Sequence, residues 1–204
     1  MAKRLYTIGY SGFQNVSDFI ETLKSYGVQI VIDVRSSPFS AHFEAYNKDR
    51  LSVELKKNGL YYFNYARQFG ARQDNPQFYK NGRLDFEIFS HSAQFLDGVS
   101  SVENSNGVIA FMCAEKHPSD CHRAIMVARA FSLRGYSITH IKPGGITLTQ
   151  HDIDEELLQK YFPNRDQAAL PGFGAESYSN DDDYIRAAYI LRNDEIGFKL
   201  EDLK

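Results

Sequence analysis

Two short apolar runs constrain this chain most, Val-Gln-Ile-Val-Ile-Asp-Val at 28–34 and Gly-Val-Ile-Ala-Phe-Met-Cys at 107–113. Both are too dense in apolar and β-branched residues for a strand with one wet face. They read as strands buried on both sides, the kind found in parallel sheets. Further strands are predicted at 5–9, 60–64 and 136–141. Helical spacing fits 15–26, where Val16, Phe19, Ile20 and Leu23 recur on one face and Gly27 follows as terminator. Helices are also predicted at 48–57, 119–134 (ended by Gly135), 151–161 and 183–192. Strands alternating with helices imply right-handed parallel crossovers. The expected fold is therefore a three-layer Rossmann-like α/β domain over 1–161, with a mostly parallel sheet of about five strands. A linker and an acidic C-terminal extension with a short helix follow at 162–204.

Composition agrees with a folded, water-soluble chain. Of 204 residues, 43% are apolar and 24% charged, and no apolar run approaches the ~20 residues of a membrane helix. Residues 166–204 hold nine acids and four bases, so the body before them is near +2 although the whole chain carries −3. That balance excludes a strongly basic nucleic-acid binder. Two cysteines and no secretory segment near the start point to a reducing cytoplasm, with no membrane partner.

Ligands of open α/β sheets bind beyond the carboxyl ends of the strands, and the reactive residue types gather there. Ser11 follows the first strand. Asp33, Arg35 and Ser40 follow the second, with His42 behind. Cys113-Ala114-Glu115 closes the fourth, and Cys121-His122-Arg123 stands at the start of the next helix. With Ser119 or Asp120 as N-cap, these three residues fall in the first helical turn, whose free N–H groups and dipole favour anions. Arg123 and Arg35 would grip that anion. Asp33 would orient Arg35 or the substrate, and Ser11, Ser40 and Cys121 would add ligand contacts. Glu115 would act as nucleophile or general base, beside the His122 imidazole. The connection 65–83 interleaves Arg67, Arg72, Lys80 and Arg83 with Tyr65, Phe69, Phe78 and Tyr79, a composition suited to base stacking and phosphate contacts.

Other chemistries fit less well. Cys113-x7-Cys121-His122, even with His117 or His140, lacks the paired short spacings of structural zinc sites, so no metal is expected. No Gly-x-Gly-x-x-Gly or Gly-Lys-[Ser/Thr] motif is present, so no nucleotide cofactor is expected. The residues thus point to a protein that binds a phosphate-bearing ligand, either a nucleotide or a nucleic acid, at the carboxyl edge of the sheet, with a hydrolase acting on that ligand as one reading. The alternative is a non-catalytic nucleic-acid- or anion-binding module using the same residues. Oligomeric state is left open.

These residues resemble the Domain of Unknown Function 488 family. Thr7-Ile8-Gly9-Tyr10-Ser11 is similar to its TIGHS-like opening, Asp33-Val34-Arg35 with Pro38 and Ser40 to its DVR-x-x-P-x-S segment, and Cys113-Ala114-Glu115 with Cys121-His122-Arg123 to its C-A-E…C-H-R signature. The resemblance spans about 4–141 and implies a compact α/β domain with a parallel sheet; it implies no particular reaction. Two departures stand out. Tyr10 replaces a usual His, and Gln68-Phe69-Gly70-Ala71-Arg72 stands where a Leu-Gly-Gly turn is usual.

Overall fold

The computed structural model describes residues 3–165 and 180–203. In chain order the elements are β1 (Arg4–Gly9), α1 (Val16–Ser25), β2 (Ile30–Asp33), α2 (Lys48–Lys57), β3 (Tyr61–Asn64), α3 (Ala66–Phe69), β4 (Tyr79–Lys80) and β5 (Arg83–Leu84). There follow α4 (Phe86–Ser90), α5 (Ala93–Glu103) and β6 (Ile109–Cys113). A helical run made of a π-helical stretch, Arg123–Ala128, and an α-helical turn, Arg129–Ser132, is here termed α6. The chain closes with β7 (Ser137–Ile141), β8 (Thr147–Thr149), α7 (Gln150–Tyr161) and α8 (Asp181–Ile196).

The central sheet has the order β3-β2-β6-β1-β7-β8. Its pairs are parallel except β7–β8. The expected three-layer α/β fold is present, with β8 as a short antiparallel addition. Side chains alternate across the sheet. Leu5, Ile32, Phe111 and Cys113 enter a core closed by Phe69, Phe95, Phe131 and Leu157 from the helices of one face. Tyr6, Ile8, Val31, Ala110 and Met112 face Phe19, Leu23, Leu51 and Leu55 of α1 and α2. Each fully buried Leu or Phe contributes about 1.5–3 kcal/mol of transfer free energy.

The winding positions the site. From β1 the chain leaves through α1 on one face and skips over β6 to reach β2. From β6 it leaves through α6 on the other face and skips over β1 to reach β7. Adjacent strands β1 and β6 therefore send their connections to opposite sides, which opens a crevice at their carboxyl ends.

Several local expectations change. The helix predicted from Ser119 begins later: 118–120 is a 3-10 turn, and Cys121 is extended (φ −135°, ψ 135°). Cys121 is thus the residue before the helix. Its carbonyl accepts from Ala124 and Ile125 N–H, and its Sγ lies 3.5 Å from the Arg123 backbone nitrogen. Connection 65–83 is not open loop. It contains α3 and the β4–β5 hairpin; Phe69 is buried, and Tyr65, Phe78 and Tyr79 pack against the core. Those rings are thereby removed from base stacking.

The C-terminal extension folds onto the body. Ala188 and Tyr189 of α8 join the core, Arg192 Nε donates to the Ser119 carbonyl at 2.7 Å, and the Leu84 N–H donates to the Phe198 carbonyl. The acidic Asp181-Asp182-Asp183 run forms the first turn of α8, capped by Asn180. The linker stretch 166–179 lies outside the described residues. Among those described, no helix is long and apolar enough to cross a membrane.

Candidate functional site

The β1–β6 crevice is built by close backbone approach. The Ser11 N–H donates to the Ala114 carbonyl at 3.0 Å, joining the segments that follow the two strands. Gly9 lies opposite Cys113 in register. A Cβ on Gly9 would fall 1.8 Å from the Glu115 carbonyl oxygen and 3.0 Å from Arg123 Nη2, so only glycine fits. The same carbonyl accepts a 2.8 Å hydrogen bond from Arg123 Nη1.

Glu115 is the reactive group that meets solvent. It is exposed, yet its carboxylate turns back over the protein, and Cys121 Sγ donates to its Oε2 at 2.8 Å. Desolvation there, reinforced by the neighbouring Cys121, raises the carboxyl pKa above its ordinary value. Beneath it, Cys113, Cys121, His122 and Arg123 are all buried. Burial alone pushes the Cys121 thiol up, but a hydrogen bond from Cys113 and the charges of Arg123 and His122 pull it well below the usual thiol value. Cys113 moves the other way, raised by burial and by Cys121. Burial works against charge on His122, but Cys121 prevails and raises its pKa.

Arg123 is the largest fully buried side chain, and its Nε and Nη2 have no hydrogen-bond partner among the described residues. A buried guanidinium so placed demands nearby negative charge.

The post-β2 segment is held differently. Arg35 Nη2 and Asp33 Oδ2 form an ion pair at 2.6 Å, with both side chains buried. Arg35 Nε adds bonds to both Asp33 oxygens, and Nη2 also donates to the Tyr46 carbonyl at 2.8 Å. Tyr62 Oη donates to Asp33 Oδ2 at 2.6 Å. Burial works against charge on Arg35, but donating hydrogen bonds to the Asp33 carboxylate raises its pKa, so the guanidinium stays charged. The Arg35 fork therefore points inward. Ser40 Oγ accepts from His42 and Phe43 N–H, bracing its own loop. Tyr10 is buried. It stacks on Tyr46 with ring centroids 4.3 Å apart and lies under the Arg35 guanidinium. Burial raises its phenol pKa, so it supplies no base at neutral pH.

Of the residues expected at one rim, Ser11, Glu115, Cys121, His122 and Arg123 surround the β1–β6 crevice. Asp33 and Arg35 form an internal pair beside it, joined to it through Tyr10, and through Val34, whose carbonyl lies 3.0 Å from His122 Nε2. Ser40 sits farther out, in the wall. Sequence reasoning missed Gly9 as a packing requirement, and it missed the exposed rings of Phe39 and Phe43. Phe43 makes an edge contact with Tyr10 at 5.5 Å. Their signal was visible in Ser-Pro-Phe-Ser-Ala-His-Phe, where two large aromatics stand in a segment with no core periodicity.

The chain is thus an open, mostly parallel α/β domain that gathers a carboxylate, two thiols, an imidazole and a buried guanidinium at its topological switch point. The chain belongs to the family described as Domain of unknown function DUF488, whose model matches residues 15–130. No curated protein and no solved structure matches it significantly.

Proposed function

We propose that the β1–β6 crevice binds a phosphate-bearing ligand, a nucleotide or a nucleic-acid segment, and hydrolyses it with Glu115 as nucleophile or general base. The observation that carries this reading is the Glu115 carboxylate, on an exposed residue yet held back over the protein by the Cys121 thiol at a topological switch point. A carboxylate held in place and partly stripped of water suits proton abstraction or attack. The exposed rings of Phe39 and Phe43 offer stacking surfaces on the same edge. Lys116 is exposed, and its stem lies where a side chain on Gly12 would point, so an ammonium is available for a phosphate. Ser11 adds a hydroxyl, while Arg123, His122 and Cys121 supply the field beneath. Asp33, Arg35 and Ser40 shape the wall that the ligand meets. Two free thiols suit a reducing cytoplasm.

The test is a turnover screen of nucleotides and short DNA and RNA with wild type and Glu115→Gln. The reading expects product from the wild type and a loss of about 10²–10⁴-fold in the variant. Equal background turnover in both removes the enzymatic claim. Binding that weakens steeply with salt, without product from either protein, identifies the non-catalytic module instead.

A further inference from the structure

We infer that Cys113, Cys121 and His122 form a binding site for one thiophilic divalent cation of the Zn²⁺ class. Cys113 ends β6, Cys121 is the extended residue before α6, and His122 opens the helix; all three are buried. His122 Nδ1 lies 4.0 Å from Cys113 Sγ and 4.0 Å from Cys121 Sγ. The three donor atoms all lie within 4.8 Å of one another. Such separations are long for hydrogen bonds. They are close to the roughly 3.5–4 Å between donors that each bond one metal at about 2.0–2.3 Å.

One further observation points the same way. His122 Nε2 lies 3.0 Å from the Val34 carbonyl, so its N–H is donated there and Nδ1 is turned to both sulfurs. That outer hydrogen bond is what fixes the tautomer of a metal-ligating histidine.

The charges balance. Two thiols and a neutral imidazole bind M²⁺, two S–H bonds break and two M–S bonds form, and two protons pass to solvent without electron transfer. Three protein donors leave one coordination position, the pattern of open rather than closed zinc sites. Glu115 lies beside the cluster, its Oε2 2.8 Å from Cys121 Sγ. The Cys-x7-Cys-His spacing argues against a metal because it looks only along the chain. The fold unites these ligands by ending β6 where α6 begins. The inference stands whether or not the ligand above is a phosphate ester.

The experiment titrates Co²⁺ into the full-length chain, first stripped with chelator and kept reduced with a phosphine. Expected are a thiolate-to-cobalt charge-transfer band in the near ultraviolet and tetrahedral ligand-field bands in the visible. Both saturate at one equivalent and are displaced by Zn²⁺. Zn²⁺ also protects both cysteines from a disulfide reagent. Folded His122→Gln loses affinity by about tenfold or more. Glu115→Gln keeps the charge-transfer band even if it abolishes turnover, which separates this inference from the proposed reaction. A wild-type protein without the band, or with unprotected thiols, overturns the site. So does undiminished affinity in folded His122→Gln. Should that variant fail to fold, the wild-type titration and thiol protection decide.

Discussion

The carbonyl of Glu115 occupies the space that a side chain on Gly9 would need, with an ideal Cβ only 1.8 Å from the oxygen. The end of a central strand and the backbone of Glu115 are therefore set against each other by one steric contact. Gly9→Ala is expected to push the Glu115 backbone away and break its bond to Arg123. Overpacking of this kind costs about 1–3 kcal/mol. Urea unfolding gives the stability loss, and a parallel fall in ligand binding or turnover would tie it to the site. Wild-type stability in the variant would contradict the contact.

Asp33 and Arg35 are an ion pair without solvent, braced by Tyr62 and the Tyr46 carbonyl. Removing one partner leaves the other charge buried and uncompensated. Asp33→Ala is expected to destabilise by about 3–5 kcal/mol. Adding Arg35→Met should recover part of that loss, because the orphaned guanidinium is then gone. The double-mutant cycle, read by chemical denaturation, checks both values.

His140 gives a pH signature. It is fully buried; its Nδ1 accepts from Thr7 Oγ1 at 2.8 Å, and its Nε2–H is donated to Gln150 Oε1 at 3.2 Å. Burial, and then the charge of Arg123, push its pKa down to about 3. The unfolded value is about 6.5, so below that pH the unfolded chain takes up a proton that the native chain refuses. The stabilisation is complete above pH ~6.5 and is lost as pH falls towards 3, by at most about 1.4 kcal/mol per pH unit. Unfolding free energies across this range should show a shallower acid slope in His140→Gln than in wild type. Equal slopes would contradict the neutral buried histidine.

Arg192 couples the C-terminal helix to the loop before α6. Its Nε donates to the Ser119 carbonyl, and its two terminal nitrogens pair with Glu195 and Asp120. Arg192→Ala is expected to cost about 1.5–3 kcal/mol, the range of a hydrogen bond from a charged donor. Thermal unfolding measures it. Unchanged stability would contradict the coupling.

The parts of this architecture that were legible in the sequence are those with strong local signals. Val28 to Val34 and Gly107 to Cys113 could only be buried strands, and Gly27 and Gly135 end helices with φ of 69° and 83°. Helix α5 was overlooked although Phe95, Val99 and Val102 carry its buried face. The crossover from β3 to β6 required a helix there. The start of α6 was misplaced because Pro118-Ser119-Asp120 has the chemistry of a helix cap, yet tertiary packing makes it a separate 3-10 turn. The gathering of Ser11, Glu115, Cys121 and Arg123 followed from the parallel-sheet rule alone. The inward lock of Arg35 did not, because whether an Asp and an Arg two residues apart face each other or a ligand depends on burial. The closeness of Cys113 to His122 was likewise hidden, being a matter of the turn between β6 and α6.

The most direct measurement is amide chemical-shift mapping of the isotopically labelled chain titrated with a nucleoside monophosphate. The account predicts saturable shifts concentrated at Ser11, at Phe39 to Phe43 and at Glu115 to Lys116. Shifts confined to the cavity of about 620 Å³ lined by Arg129, Tyr189 and Asn193 would contradict it, as would a spectrum that does not respond.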